Sequence, residues 1–424
     1  MTSFRFLHAA DLHLDSPLRG LGADASAERI RGATRDALRN LVDLAIRERV
    51  DFVVVAGDLY DGDWPDFRTG QALVAAFARL TRAGIRVVAV RGNHDAESVL
   101  TRSLRLPEGA ALLRADRPDT VDWPELGVVL HGQSFETRDV QQNLAQSYPQ
   151  PAPNRFNIGL LHTAATGRPG HASYAPCTVD QLASHGYDYW ALGHIHAREE
   201  VLRDPWIVFP GNLQGRHVNE GGAKGASLVT VRHGRVVALD HHALDAVRWA
   251  RVTVDCEGAA DEEAVLDRCR RAIGTAVDAA DGRLLAMRLR LEGPCPAHLA
   301  LARDPASLRQ KILAAGLEAA EAGSFWLEDV RIATRPMQDL ETLRARDDAV
   351  GRLVRAIEAL AERPEEVAAP AAPGYATGLL DRASGGLRQA LGPDHPAVLA
   401  AGGQVPPEML RRARDLLLAR LAQG

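Results

Sequence analysis

Two histidines, His194 and His196, stand one residue apart at the end of an apolar run, in YDYWALGHIHAREE. Alternate residues of an extended segment point to the same side, so both rings can address one small volume. Four other segments end in the same kind of residue. FRFLHAA runs into Asp11 and His13, DFVVVAG into Asp58 and Asp61, IRVVAV into Asn93, His94 and Asp95, and FNIGLL into His162. Ligands of open α/β sheets bind beyond the carboxyl ends of the strands. Any one of these motifs is commonplace, but five strand ends in order, each delivering Asp, Asn or His, describe a single site.

Carboxylate, imidazole and amide donors together suit borderline to hard divalent cations, manganese first, with iron, zinc or cobalt as alternatives. No cysteine belongs to the set, which argues against a structural zinc site. These candidate ligands are too many for one ion, so two ions sharing a bridging carboxylate are expected. A pair about 3.5–4 Å apart activates a water and clamps both oxygens of an in-line displacement, the chemistry of phosphoester hydrolysis.

The elements that must carry these residues are legible from periodicity. Further short apolar runs, GVVLHG (127–132) and WIVFPG (206–211), read as buried strands. Residues 27–49 and 67–83 place apolar side chains at helical spacing between the early strands. Strand–helix–strand alternation predicts a parallel sheet covered on both faces, with a mixed or second sheet later. Residues 226–244 read as a hairpin turning at His233-Gly234. From about 247 the pattern is β-α-β-α-β, and from 337 it is helical, with Val350, Leu353, Val354, Ile357, Leu360 and Ala361 on one face. PEEVAAPAAPG (364–374) reads as a linker, and Leu410, Ala413, Leu417 and Leu421 form a closing apolar stripe. These helices either pack on the body or dock a partner's helices.

The chain has 424 residues, room for two to three domains. Its formal charge of −5 neither demands nor forbids a polyanionic partner, so a nucleic-acid site must be a local patch or use metal ions. Lys224 and Lys311 are the only lysines, and this compositional bias makes arginine counts weak evidence. Arg31, Arg35 and Arg39, spaced at four residues, read chiefly as a solvated helix face. Four scattered cysteines without C-x-x-C fit a reducing cytoplasm. No apolar stretch approaches the ~20 residues of a membrane span, and MTSFRFLHAADLH has no signal-peptide core. No aromatic-rich stacking strip is visible along the sequence.

The motifs D-x-H, G-D-x-x-D, G-N-H-D, a lone His and G-H-x-H, in this order across residues 11–196, resemble those of the calcineurin-like metallophosphoesterase superfamily. The resemblance implies an α/β core of two packed mixed sheets flanked by helices (αββα), then a small α/β capping domain and a helical C-terminal tail. It implies that Asp11, His13, Asp58 and His196 hold one metal and Asp58, Asn93, His162 and His194 the other, with Asp58 bridging. His94 would protonate the leaving oxygen or stabilise charge on the phosphate, and an imidazolium in that role needs an acid beside it. Asp61 is the orienting candidate, and Asp95 is read as holding the loop.

GDLYDGDW and GNHD lack the arginine-glycine and the glutamate of protein Ser/Thr phosphatases, which sets that branch aside. The layout 1–245, 246–336 and 337–424 resembles the SbcD-type DNA repair nuclease subunits: phosphoesterase, capping domain, then helices that bind the coiled coil of an SMC-like ATPase. DLHLDSPL departs from the D-x-H-L-G of SbcD, and FPGNLQGRHVNEGGAKG resembles the YhaO-like branch. In that stretch Asn212, Arg216, His217 and Lys224 are candidate phosphate contacts, with a plain turn as the alternative. The expected activity is cleavage of DNA by a cytoplasmic, non-membrane enzyme with two divalent ions, and the resemblance suggests a homodimer through the first helices. A small-molecule nucleotide phosphodiesterase and a structural subunit with a vestigial site are the rival readings.

Overall fold

The computed structural model describes residues 3–18, 21, 25–61, 67–96, 105–165, 174–336 and 340–362. The first strands and helices follow the expected alternation: β1 (Phe4–Ala9), α1 (Ala25–Glu48), β2 (Phe52–Ala56), α2 (Phe67–Arg82) and β3 (Arg86–Val90). Next come β4 (Ala110–Leu112), β5 (Asp119–Trp123), β6 (Val128–Gly132), β7 (Phe156–His162), α3 (Val179–Ser184), β8 (Tyr189–Gly193), β9 (Glu199–Arg203), β10 (Trp206–Phe209), β11 (Gly225–Arg232) and β12 (Arg235–Ala243). The β11–β12 hairpin turns at His233 and Gly234, both at positive φ (52° and 73°), the geometry that matches strand twist in a two-residue loop. β4, β5 and β9 are short, partly exposed strands that carry no strong apolar pattern, and periodicity did not reveal them.

Two six-stranded mixed sheets result, ordered β12-β11-β1-β2-β3-β4 and β5-β6-β7-β8-β10-β9. In the first, β1 to β4 are parallel and β11 runs antiparallel to β1. In the second, β6, β7, β8 and β10 are parallel, with β5 and β9 antiparallel at the edges. Strand alternation explains the layers. On β1 and β2, Phe4, Phe6, Phe52 and Val54 join Ile158, Leu160 and Tyr189 of the second sheet in one core. The intervening Leu7, Val53 and Val55 meet Leu38 and Leu41 of α1 and Leu73 and Phe77 of α2. On the outer face of the second sheet, Trp190, Leu192 and Ile207 pack with Leu182 of α3. The order helix, sheet, sheet, helix is therefore forced by strands that are apolar on both faces. Phe6 stacks on Phe52 at 4.9 Å and 6°, and removing such a ring opens a cavity costing about 3–5 kcal/mol.

The later chain contributes β13 (Val247–Asp255), α4 (Glu262–Ala279), β14 (Leu284–Pro294), α5 (His298–Arg303), α6 (Pro305–Ala319) and β15 (Phe325–Arg335). β13, β14 and β15 form a three-stranded sheet in that order, and helical crossovers join the strands as parallel neighbours require. α7 (Leu340–Ala345) and α8 (Ala349–Glu362) follow, with Leu343, Val350 and Val354 in contact. The linker 364–374 and the stripe Leu410, Ala413, Leu417 and Leu421 lie outside the described residues. The chain divides into two compact units, one of residues 1–251, 276–287 and 322–328 and the other of 252–275, 288–321 and 329 onward. Both six-stranded sheets belong to the first. All four cysteines are buried free thiols. Among the described residues no helix is long and apolar enough to cross a membrane.

Candidate metal centre

The five motifs meet at the carboxyl ends of β1, β2, β3, β7 and β8. The loop after β1 is pinned to the loop after β2, because Asp11 N donates to Gly57 O at 3.0 Å and His13 N to Asp58 O at 3.0 Å. Asp11, His13, Asp58 and His194 all have positive φ, between 42° and 99°. Non-glycine residues seldom adopt that region, and clusters of them mark sites where the surroundings over-determine the backbone. Asp11 holds the last motif in place, accepting the His194 N–H on both carboxylate oxygens at 3.1 Å. Asp58 Oδ1 accepts the His94 N–H at 3.0 Å. Asp95 does hold the loop: its carboxylate accepts from Leu59 N at 2.9 Å and Gly92 N at 2.7 Å. Gly92 must be glycine because a Cβ there would land on Asp58 Oδ1 and the His162 ring.

Asp11, His13, Asp58, Asn93, His162 and His194 are all buried, and the His196 side chain is 19% exposed. Among the described residues, donor atoms within 4.8 Å of one another form three groups: Asp11, His13 and His196; Asp11, Asp58 and His162; and His13, Asp58 and His94. Six of the expected site residues thus converge directly. Asn93 joins them through Oδ1, 3.0 Å from His162 Nε2, and the His194 ring lies 5.2 Å from that of His162. His94 joins the third group, although the resemblance implies a proton donor there and not a ligand.

The donor chemistry fits cations. A neutral imidazole has one N–H, yet His162 faces acceptors on both sides: Ala56 O at 2.9 Å from Nδ1, and Asn93 Oδ1 at 3.0 Å and Asp58 Oδ2 at 3.5 Å from Nε2. Asp58 Oδ2 is buried and receives no hydrogen bond. Burial holds the pKa of His162 below the usual value against the pull of Asp58. Burial, with Arg216 and neighbouring histidines, does the same to His13. Burial and the Asp58 charge push Asp11 upward. Converging lone pairs of this kind are what a divalent ion compensates.

His94 stands at the lip, its side chain 32% exposed, with Nδ1 2.5 Å from Asp61 Oδ1. Burial alone would lower the His94 pKa, but the Asp61 hydrogen bond and the charges of Asp58 and Asp61 outweigh it and raise it. Asp61 is held at about 2: against the opposing effect of burial, it accepts from His94 and Ser16 and feels Arg216. Ser16 Oγ donates to Asp61 Oδ2 at 2.5 Å, and Arg216 Nη1 does so at 3.1 Å.

The glycine-rich stretch after β10 supplies a residue that motif reading missed. Glu220, 8% exposed, accepts from His196 Nδ1 at 2.7 Å through Oε1 and from Asn212 Nδ2 at 2.9 Å and Arg216 N at 2.8 Å through Oε2. It fixes the His196 tautomer and turns Nε2 toward His13. The acid four residues after Arg216 was visible in the sequence, but only folding sets it behind His196. Asn212 is wholly buried, its Nδ2 donating to Gln214 O and to Glu220 Oε2, so it positions Glu220, while its Oδ1 is buried without a hydrogen-bond partner. Arg216 lies between Asp61 and Glu220, at 3.1 Å and 3.3 Å. His217 is exposed, and Lys224 Nζ donates to His196 O at 2.7 Å. On α1, Arg35 pairs with Asp15 and Arg39 with Asp36, so the arginine stripe is partly neutralised.

Residues 4–198 match the family model of calcineurin-like phosphoesterases, and residues 249–335 match that of the middle domain of the metallophosphoesterase YhaO. The chain is 36% identical to the uncharacterized metallophosphoesterase YhaO of Bacillus subtilis (strain 168), over 60% of this chain and 64% of that protein. It is 27% identical to the DNA double-strand break repair protein Mre11 of Sulfurisphaera tokodaii, over 54% of this chain and 60% of that one. To the Mre11 of Aeropyrum pernix it is 31% identical, over 53% and 57% respectively. The matches span about six tenths of these relatives' length. With the helix–sheet–sheet–helix core and five motif-bearing strand ends around one cluster of buried donors, the chain belongs to the calcineurin-like metallophosphoesterase superfamily, in its YhaO and SbcD/Mre11-like branch.

Proposed function

We propose that this chain is a two-metal phosphodiesterase that cleaves DNA, acting as the nuclease subunit of a complex with an SMC-like ATPase. The observation that carries the reading is the set of buried acceptors around Asp58 Oδ2, with His94 at its open edge. In the proposed assignment Asp11, His13, Asp58 and His196 hold one divalent ion and Asp58, Asn93, His162 and His194 the other, with manganese the first choice. When bound, the ions supply Lewis-acid activation of a water and of the phosphate oxygens. Asp58 is suited to the bridging place because Oδ2 lies 3.7 Å from His13 Nε2 and 3.5 Å from His162 Nε2. Glu220 orients His196, and Ala56 O orients His162. Asp61 holds His94 by Nδ1, which leaves Nε2 to deliver a proton to the departing alkoxide.

DNA as substrate is supported by the Mre11 relatives, which are named for double-strand break repair. The three-part layout 1–245, 246–336 and 337–424, a cytoplasmic location, dimerisation through the first helices and docking of the ATPase by the C-terminal helices belong to the same proposal. The test is hydrolysis of single- and double-stranded DNA with added Mn²⁺, beside His94→Ala and a nucleotide diester. Cleavage of DNA that requires both Mn²⁺ and His94 is the expected result. Cleavage of the small diester alone would make the enzyme a nucleotide phosphodiesterase.

A further inference from the structure

The first compact unit contains a cavity linked to the metal centre through Ser16 and Arg216, which donate to Asp61. It measures about 330 Å³, at the lower end of ligand-pocket sizes, roughly 300–1,000 Å³, and so is scaled for one small group. Leu18, Leu21, Trp249 and Trp326 line its apolar side. The two indoles meet edge to face at 6.2 Å and 86°. Trp249 is buried and anchored, donating Nε1–H to Gly215 O at 2.8 Å. Trp326, Leu18 and Leu21 pack on the adjoining core but remain only partly buried, so an apolar, aromatic surface stays open.

Ser16 and Arg216 also line this cavity, and both donate to Asp61, the residue that holds His94. The cavity therefore begins one residue beyond the proton donor. Its polar rim is His217 and Glu328. Glu328 repels a phosphate, and Arg216 is engaged by Asp61 and Glu220, so the cavity is a poor anion site. An aromatic floor with a hydrogen-bonding rim instead matches the face and edge of a heterocyclic base.

We infer that this cavity, given the phosphodiesterase reading above, holds the unpaired nucleobase of the nucleotide whose phosphate lies at the metal centre. Trp326 supplies the stacking face, and His217 and Glu328 meet the base edge. Such a contact tolerates any base, because every base has a π-face. It requires the nucleotide to be free of its complement, so the site selects strand ends, frayed duplex or free nucleotides over intact duplex interior.

Calorimetric titration of the full-length, Mn²⁺-loaded protein tests the inference with deoxyadenosine monophosphate against deoxyribose 5-phosphate. The base is expected to tighten binding on the order of tenfold. W326A should bring the two ligands within about twofold, while W326F keeps most of the preference. Equal affinity for both ligands in the unaltered protein, or an unchanged preference in W326A, overturns the subsite. Short single-stranded oligonucleotides with an intact or an abasic terminal residue separate the sources. A base requirement in the oligonucleotide assigns the pocket to a strand end, and one confined to mononucleotides assigns it to free nucleotides. DNA hydrolysis without base preference removes the subsite alone, whereas base preference without His94-dependent hydrolysis removes the nuclease reading alone.

Discussion

His8 and His162 are both wholly buried between the same two sheets, yet their surroundings differ in kind. His8 lies in the middle of the sandwich, where Nδ1 meets the Tyr189 hydroxyl at 3.0 Å and Nε2 meets Leu192 O at 3.1 Å. A hydroxyl can donate and a carbonyl can only accept, so one neutral tautomer satisfies the ring completely. His162, at the strand ends, meets acceptors on both sides. No neutral tautomer serves it, and a cation does. Burial of a histidine is therefore no mark of a site. What distinguishes the site is a surplus of acceptors that the protein leaves uncompensated.

Four experiments bear on this contrast. Asp58→Ala removes the carboxylate proposed to bridge the two ions and should take metal content, read by plasma emission, from about two ions per chain to near zero. Hydrolysis should fall to the uncatalysed background, and a metal-replete, active Asp58→Ala protein would contradict the bridging assignment. His94→Ala leaves the other acceptors in place, so metal content should hold while kcat drops by ~10²–10⁴-fold. Normal turnover in that variant would strip His94 of its role. Glu220→Gln keeps an acceptor for His196 Nδ1–H but deletes the charge. Metal affinity, measured by competition with a chelator, should weaken by about tenfold, at the lower edge of the ~10–100-fold range for such partners. An unaltered affinity would reduce Glu220 to a loop anchor.

The smallest effect concerns the satisfied histidine. Burial pushes the His8 pKa down to about 3, against the raising effect of its bond to Leu192 O. The unfolded chain takes up this proton near pH 6.5 and the folded protein does not, so stability is full above about pH 6.5. It then declines by at most about 1.4 kcal/mol per pH unit toward about pH 3. Chemical denaturation across that window should show a shallower decline for His8→Gln, whose amide can meet the same two partners without titrating. Equal slopes would mean that other groups govern acid unfolding.

Much of the centre was legible in sequence because each motif is local. A strand end followed by D-x-H or G-N-H-D places its side chains within three residues of a fixed point, and parallel β-α-β winding brings such ends to one edge. The long strands and helices were legible for the same reason, since their apolar periods run over many residues. β4, β5 and β9 were not, being three to five residues long with partly exposed side chains. Glu220 lay in a stretch already singled out, but nothing local tells that its carboxylate, and not that of a neighbour, reaches His196.

The sequence by itself determined the donor types, their order along the chain and the layers that present them, because these depend on contacts between near neighbours and on strand alternation. Tertiary structure alone decided which donors meet. It decided that Arg216 is held between Asp61 and Glu220 and that Asn212 turns inward. It also decided that Trp249 and Trp326, far apart in the chain, form one aromatic wall beside Ser16. Those outcomes depend on packing between distant segments, where no local period carries the information and only the closed core sets the distances.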